Sequence, residues 1–206
     1  MAHIPADIAD LYEVHDYRHA AAILTTEYPE LFQELCTVLR QFRLTDAMIR
    51  EFGGNESPIP KAFSAHLRPM GWEERQLSAE IVVDGQTAIE LGTHRIDYVK
   101  GEVAFDLEWN SKDQTFDRDL AAFRAFFQYN RISVGVLVTR STSLHDYFRT
   151  LGTYTTRYGN ESPIIKKYGA STTHMDQLLP RLHAGRSGGC PVLALGITTA
   201  LIPSSE

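Results

Sequence analysis

Four segments of the chain have the hydrophobic pattern of α-helices: residues 28–42, 61–70, 116–130 and 175–183. In the first segment, Leu31, Leu35 and Val38 recur at the spacing of one helical face. Leu120 and Phe123 have a similar spacing in the third segment. These segments are expected to pack an apolar face against a core.

Other segments have the alternation or the apolar runs of β-strands: residues 80–84, 95–99, 102–109, 132–139 and 191–197. Lys100-Gly101 separates the second of them from the third, which is typical of a tight hairpin. The last two are almost wholly apolar, as expected of strands buried on both faces. The order of helices and strands predicts an α/β fold with a mixed β-sheet flanked by helices.

The second arm of the predicted hairpin has two different faces. Apolar residues occupy alternate positions from Val103 to Trp109, and Asp106 and Glu108 lie between them. Because successive side chains of a strand point to opposite sides, these two carboxylates share a face, and the turn brings Asp97 into the same neighbourhood. Three carboxylates repel one another without a cation, and an all-oxygen cluster suits Mg²⁺. Spacing alone leaves open that they are solvent-facing acids on an ordinary hairpin.

Length and composition bound the class of protein. The chain has 206 residues, 43% of them hydrophobic, which suits one globular domain over residues 1–206. It has no apolar run long enough for a membrane span and no secretion signal pattern at its N-terminus, so we expect a cytoplasmic protein without membrane contact. Cys36 and Cys190 form no motif and are expected to be buried packing residues.

Charge is unevenly distributed along the chain. The net charge of −6 argues against a nucleic-acid partner, since duplex DNA is itself densely negative. From Arg118 to Arg186, however, there are ten Lys or Arg residues and four acids, a net +6 that leaves −12 elsewhere. This half of the chain is suited to lie against DNA, although an ordinary solvated basic surface would have the same composition.

The segment that carries the three acids resembles the active-site hairpin of a nuclease family. DYVKGEVAFDLEW, residues 97–109, is similar to that hairpin in type II restriction endonucleases of the BglII and BstYI kind, a branch of the PD-(D/E)XK superfamily. The likeness continues in YEVHDYRHA (residues 12–20), in residues 57–74 and in PVLALGI (residues 191–197). The resemblance implies double-stranded DNA as the substrate, a homodimer that straddles a short palindromic site, and cleavage to 5′-phosphate and 3′-hydroxyl ends.

Two positions depart from the resembled pattern. Where the BglII kind has Glu followed two residues later by Gln, and the superfamily usually has Glu followed by Lys, this chain has Asp106 and Glu108. A carboxylate at the second position also occurs in relatives of the BamHI kind. We assign roles as hypotheses: Asp97 and Asp106 bind Mg²⁺ together with the main-chain carbonyl of Leu107, and Glu108 orients or deprotonates the attacking water.

Four other charged residues enter the hypothesis as alternatives or additions. Ionised Glu108 donates no hydrogen bond, so Lys100 or Lys112 is an alternative group to orient the water. Glu80 or Glu90 is a candidate fourth acid, with ordinary surface charge as the other interpretation.

Two polar segments are expected to contact bases, because they match regions where the resembled enzymes do so. They contain Asn110, Ser111, Lys112 and Asp113 in the first case, and Ser171, Thr172, Thr173 and His174 in the second. The alternative for each is a polar loop with helix-capping residues. Arg140 and Arg186, at the ends of a strand and a loop, are expected to contact phosphate.

The string GNESPI occurs twice, at residues 54–59 and 159–164, without a longer repeat around it. We interpret it as chance recurrence of a loop composition, with a pair of DNA-approach loops as the alternative.

The favoured function is therefore a Mg²⁺-dependent restriction endonuclease with a cognate DNA methyltransferase as its genetic partner. The alternatives are a structure-selective repair or resolvase nuclease of the same superfamily, and a DNA-binding module that no longer cuts. Relatives of the BglII and BstYI kind read sites with a GATC centre, which is the expectation here.

Overall fold

The computed structural model describes residues 3–51, 57–84 and 86–203. The α-helices of these residues are α1 (Ala6–Leu11), α2 (Ala20–Thr26), α3 (Pro29–Gln41), α4 (Asp46–Arg50), α5 (Pro58–Leu67), α6 (Thr115–Gln128), α7 (Leu144–Thr150), α8 (Ile164–Lys167) and α9 (Met175–His183). Their β-strands are β1 (Tyr12–Tyr17), β2 (Glu73–Arg75), β3 (Ser78–Val83), β4 (Gln86–Gly92), β5 (Ile96–Lys100), β6 (Val103–Glu108), β7 (Val134–Arg140), β8 (Thr153–Thr155), β9 (Glu161–Pro163) and β10 (Val192–Ile197).

Six of the described strands form one mixed sheet in the order β1-β10-β7-β6-β5-β2. The central strands β10, β7 and β6 are parallel to one another, while β1, β5 and β2 pair antiparallel with their neighbours. Separate two-stranded sheets are formed by β3 with β4 and by β8 with β9. The predicted α/β architecture, a mixed sheet flanked by helices, is confirmed.

The long periodic segments fold as their patterns predict. The helices expected at residues 28–42, 116–130 and 175–183 correspond to α3, α6 and α9, and the apolar strands correspond to β7 and β10. The helix expected at residues 61–70 begins earlier, at Pro58, and ends in a 3₁₀ turn at Met70. The predicted hairpin consists of β5 and β6, with Gly101 in its turn at φ +55°, a conformation that glycine adopts without steric cost.

Helices cover both faces of the six-stranded sheet. On one face, Phe105 of β6 lies in a core with Leu35 of α3 and with the ring of Phe63 of α5, which stacks on it. On the other face, Leu137 of β7 lies in a core with Phe123 of α6 and residues of α9. The Phe123 ring lies so close to the sheet that a Cβ at Gly135 would come within 2.6 Å of it. Helix α6 therefore packs tightly on the sheet face that includes the acids of β6.

Some of the other residues named from the sequence lie within the described part of the chain, and others lie outside it. Cys36 and Cys190 are buried and free, as predicted. Among the helices of the described residues, none is long and apolar enough to cross a membrane. The side chains of Glu80 and Glu90 lie outside the described part of the chain, as do residues 54–56 of the first GNESPI string. The second string forms part of the β8–β9 hairpin, whose turn includes Gly159 at φ +81°.

Candidate active site

The β5–β6 hairpin places Asp97, Asp106 and Glu108 on the sheet face that α6 covers. On this face Val99 and Ala104 pack into the core beneath α6. The backbone N–H of Asp97 donates a hydrogen bond to Oδ1 of Asp106 over 2.7 Å, which links the two arms at the acids. The side chain of Asp106 is buried, with 3% of the residue exposed. The hairpin thus brings the three acids together as the sequence predicts.

Lys100 lies on the opposite face of the hairpin. Its ammonium group donates hydrogen bonds to both carboxylate oxygens of Glu34, at 2.6 and 2.8 Å, and to the carbonyl of Met70 at 2.7 Å. The suggestion that Lys100 orients the attacking water is therefore wrong, because strand alternation directs this side chain towards α3. Lys112, the other suggestion, is exposed in the segment beyond β6.

Helix α6 adds a fourth carboxylate, Asp119, that the sequence reasoning missed. Only 3% of the residue is exposed, and its neighbours on the buried face of the helix are Phe116, Leu120 and Phe123. An acid on the apolar stripe of an amphipathic helix is the signal that would have identified it. The Nε of Arg118, on the adjacent exposed position, lies 3.8 Å from Oδ1 of Asp119.

Burial and the neighbouring carboxylates raise the pKa values of Asp106, Glu108 and Asp119. Burial, followed by the charges of Asp119 and Asp97, raises the pKa of Asp106 well above its usual range. Burial, with the charge of Glu108, raises the pKa of Asp119 to about 8. The pKa of Glu108 rises to about 7, mainly through burial, while a hydrogen bond from Ser111 opposes the rise. Without a cation, this face cannot hold all four groups ionised at neutral pH.

Buried polar oxygens without a hydrogen-bond partner are concentrated in this region. Among the described residues they are Oδ2 of Asp106, Oδ2 of Asp119, Oδ1 of Asn110 and Oγ1 of Thr173. Such atoms are rare in folded proteins, because each costs the desolvation free energy of the group. Two belong to the carboxylate face and two to the segments expected to contact bases.

The carboxylate face fits a divalent cation by its donor chemistry. No group of three or more His, Cys, Asp or Glu side chains in the described part of the chain is already arranged to hold a metal ion. The donors available, however, are all carboxylate oxygens, the type that hard cations prefer, and two of them have no hydrogen-bond partner. A cation would remove both the repulsion and the unsatisfied oxygens.

The two segments expected to contact bases lie side by side. Lys112 and Thr172 form a β-bridge, and the N–H of Thr173 donates to the carbonyl of Ser111 over 2.9 Å. The N-cap of α9 is His174, whose side chain forms no capping hydrogen bond. These two segments therefore form one paired unit beyond the end of β6. Helix capping does not account for the segment from Ser171 to His174, because the His174 side chain forms no capping hydrogen bond.

Arg140, the last residue of β7, connects the two paired segments to the sheet by buried hydrogen bonds. Its Nε donates to the carbonyls of Trp109 and Thr173, at 2.8 and 3.0 Å, and its guanidinium lies near the rings of Trp109 and Tyr168. Only 3% of Arg140 is exposed, and burial lowers the pKa of its guanidinium to about 10. The prediction that Arg140 contacts phosphate conflicts with this position. Its hydrogen bonds fix the loop segments instead.

The other predicted DNA contacts differ in exposure. Lys112 and Ser171 are exposed, whereas Asn110, Ser111, Thr172 and His174 are half-buried. Thr173 is fully buried, so base contact by its side chain conflicts with the structure. Arg186 is exposed and pairs with Asp117 at the start of α6. Arg181 also pairs with Asp117 and with Asp113 over 3.1 Å, which ties α9 to the loop beyond β6.

Comparison with known proteins identifies the family of the chain. A family model described as restriction endonuclease BglII/BglIII matches residues 12–197, a range that includes the hairpin, α6 and both loop segments. A search of the curated proteins found no match. The matched range covers most of the chain. The chain therefore belongs to the BglII/BglIII family of restriction endonucleases, which are phosphodiester hydrolases.

Proposed function

We propose that the protein is a type II endonuclease that hydrolyses both strands of duplex DNA at a short palindromic site in a Mg²⁺-dependent reaction. The products would carry 5′-phosphate and 3′-hydroxyl ends. Family membership supports the reaction class and duplex DNA as the substrate. The metal, the site residues and the mode of assembly are proposed from the residues described above.

The observation that carries the proposal is the buried carboxylate face of the hairpin. Asp106 is 3% exposed and has an oxygen without a partner, although Asp97, Glu108 and Asp119 lie within electrostatic range. An arrangement of this kind destabilises the folded protein, and removing charge there would relieve it. Its presence is explained if a divalent cation binds to these oxygens during function.

Each acid has a distinct part in the proposed reaction. Asp97 and Asp106 would hold the ion together with the main-chain carbonyl oxygen of Leu107. When bound, Mg²⁺ neutralises the charge that builds on the phosphodiester and lowers the pKa of water. Glu108 orients the attacking water and accepts its proton as the water oxygen bonds to phosphorus. The bond from phosphorus to the 3′-oxygen breaks, and the leaving 3′-oxygen takes a proton from solvent water. A pKa of about 7 suits a group that gains and loses a proton near neutral pH.

Recognition is assigned to the paired segments beyond β6. Lys112 and Ser171 are the exposed members, with Asn110 and His174 half-buried beside them. Lys favours guanine and Asn favours adenine in the major groove, so these side chains are suited to read base edges. Arg140 holds the segments in place, and Arg186, which is exposed and pairs with Asp117, is proposed to contact phosphate. A site with a GATC centre stays the expectation.

The proposed assembly follows from the symmetry of the site. A palindrome has a twofold axis, so two copies of the chain related by the same axis would each cut one strand. The proposed partner in the cell is a DNA methyltransferase that protects the same sequence in the cytoplasm.

The test is incubation of the purified protein with unmethylated bacteriophage DNA, with Mg²⁺ or with EDTA. Cut fragments are separated on a gel and their ends are sequenced. Asp97→Ala is compared with Asp10→Ala, which removes an exposed acid from α1. We expect discrete Mg²⁺-dependent fragments from the wild type and from Asp10→Ala, and none from Asp97→Ala.

The two alternative functions predict different results in this cleavage experiment. A structure-selective nuclease would cut branched DNA and leave the linear phage DNA uncut or smeared. A protein that binds DNA but cuts it under no divalent cation would be a recognition module, and the proposed function would then be wrong.

A further inference from the structure

Asp119 has the properties of a ligand and lacks those of a structural acid. It lies in the second turn of α6, on the stripe that packs against the sheet. Its Oδ2 is buried without a hydrogen-bond partner, and its nearest cation is the Arg118 Nε, 3.8 Å from Oδ1. A buried carboxylate that stabilises a fold normally accepts several hydrogen bonds.

The surroundings of Asp119 make this position costly for the fold. Phe116, Leu120 and Phe123 flank it on the same helical face, where an apolar residue would pack without desolvating a charge. The charge of Asp119 raises the pKa of Asp106 more than the charges of Asp97 and Glu108 do, yet the Oδ2 atoms of Asp106 and Asp119 are both buried without a hydrogen-bond partner. No proton-sharing hydrogen bond therefore explains the pair.

We propose that Asp119 is a fourth carboxylate of the cation site and binds the divalent ion from the helix side. The hairpin supplies Asp97 and Asp106 from the sheet, and α6 closes the site from above with an oxygen that has no other partner. The inference rests on the proposed function, because it adds a ligand to the metal site proposed there. It also explains why this chain has Asp106 where the resembled family has Glu. The Asp side chain is shorter by one methylene, and Asp119 supplies a second carboxylate to the same ion.

The test measures cation binding without DNA, so that cleavage does not enter the result. Mn²⁺ is titrated into wild type, Asp119→Asn and Asp10→Asn in a calorimeter, and the melting temperature of each is recorded with EDTA and with Mg²⁺. Asn has nearly the same shape as Asp and removes a buried charge, so the fold is expected to survive. Asp119→Ser is the second variant should Asp119→Asn fail to fold.

We expect Asp119→Asn to bind Mn²⁺ at least about tenfold more weakly than the wild type, a loss of the size seen when one supporting group of a metal site is removed. Its rise in melting temperature with Mg²⁺ should shrink, while its melting temperature in EDTA stays equal to or above that of the wild type. Asp10→Asn should match the wild type in both measurements.

The half-saturating Mg²⁺ concentration for cleavage gives an independent reading. It should rise in Asp119→Asn by the same factor as the dissociation constant for Mn²⁺. Unchanged cation affinity and unchanged half-saturation in this variant would overturn the inference and leave the proposed function intact. A wild type that neither binds the cation nor cuts DNA would instead overturn the proposed function, and the inference with it.

Discussion

The backbone N–H of Asp97 donates a hydrogen bond to Oδ1 of Asp106, 2.7 Å away, across the two arms of the hairpin. This bond uses one oxygen of Asp106 and leaves the other, Oδ2, buried without a partner. The same side chain therefore has a structural oxygen and an unsatisfied one. The roles of the two oxygens can be separated experimentally with Asn at this position. Its amide oxygen still accepts the hydrogen bond from Asp97, but the second, charged oxygen is lost.

Asp106→Asn should fold and fail to cut. The amide oxygen accepts the hydrogen bond from Asp97, while the variant loses the charge that would bind the cation. Loss of a metal ligand removes several kcal/mol of transition-state stabilisation, so cleavage should fall by at least about 10²-fold. Rates are measured at saturating Mg²⁺, with circular dichroism to check the fold. Cleavage at the wild-type rate would show that Asp106 is not a ligand.

The Glu108→Gln variant distinguishes two roles for Glu108, that of a general base and that of a residue that only orients the water. Burial raises the pKa of Glu108 to about 7, so its ionised fraction grows as the pH rises through that value. If the carboxylate accepts the proton, the wild-type rate rises over the same range, with the midpoint moved down when a cation is bound. Glu108→Gln should lose this rise and about 10²- to 10⁴-fold in rate, the usual contribution of a general base.

The comparison uses the pH dependence of single-turnover cleavage in both proteins. Gln occupies this position in relatives of the BglII kind, so the variant restores the resembled residue at position 108 and leaves Asp106 as the remaining departure. A variant that cuts as fast as the wild type, with the same pH profile, would limit Glu108 to orienting the water.

Arg140→Met should weaken both the fold and the choice of site. The change leaves the carbonyls of Trp109 and Thr173 buried without their donor, which costs about 2–4 kcal/mol. Urea unfolding measures this loss. Because the same bonds fix the two recognition segments, cleavage at sites with one wrong base should increase relative to the cognate site. Equal discrimination by the two proteins would contradict the positioning role.

The fold was largely predictable because its central elements are long and regular. Residues 192–197 and 134–140 are buried along their whole length, and the apolar runs predicted them as strands. Several of the elements that the patterns missed are short, such as α4, α8 and the β8–β9 hairpin, each with five residues or fewer per element. The patterns also missed α2, β4 and α7, which have seven residues each. Elements of this length are fixed by tertiary contacts, which local periodicity does not contain.

The acids of the site were predictable only where they lie on the same hairpin. Strand alternation and the hairpin turn are enough to bring Asp97 to Asp106 and Glu108. Asp119 joins them through the packing of α6 on the sheet, and the sequence does not state which helix covers which face. Arg140 was misassigned for a similar reason, since its partners are carbonyls of two loops that meet only in the folded protein.

Lys112→Ala should weaken DNA binding in a way that depends on salt. Lys112 is exposed beside the bridge to Thr172, in the segment proposed to lie against DNA. If it contacts phosphate, the slope of log affinity against log salt falls by about 1. If it reads a base, discrimination between sites falls instead and the slope changes little. Lys61→Ala, an exposed lysine of α5, is the matched control, and an unchanged Lys112→Ala would remove this residue from the interface.

Asp119→Asn should be more stable than the wild type at pH 8 in EDTA. In the folded protein the pKa of Asp119 is raised from 3.8 to about 8, mainly by burial. Between these values the folded protein keeps a proton that the unfolded chain has lost, so raising the pH favours unfolding of the wild type. The variant lacks this titration. Its advantage in unfolding free energy is therefore expected to be smallest near pH 4 and to grow towards pH 8. Urea unfolding between pH 4 and pH 8 measures the difference in unfolding free energy between the two proteins. A difference that does not change with pH would contradict the raised pKa of Asp119. Mg²⁺ should narrow the gap at pH 8, because the cation offsets carboxylate repulsion that only the wild type has in full.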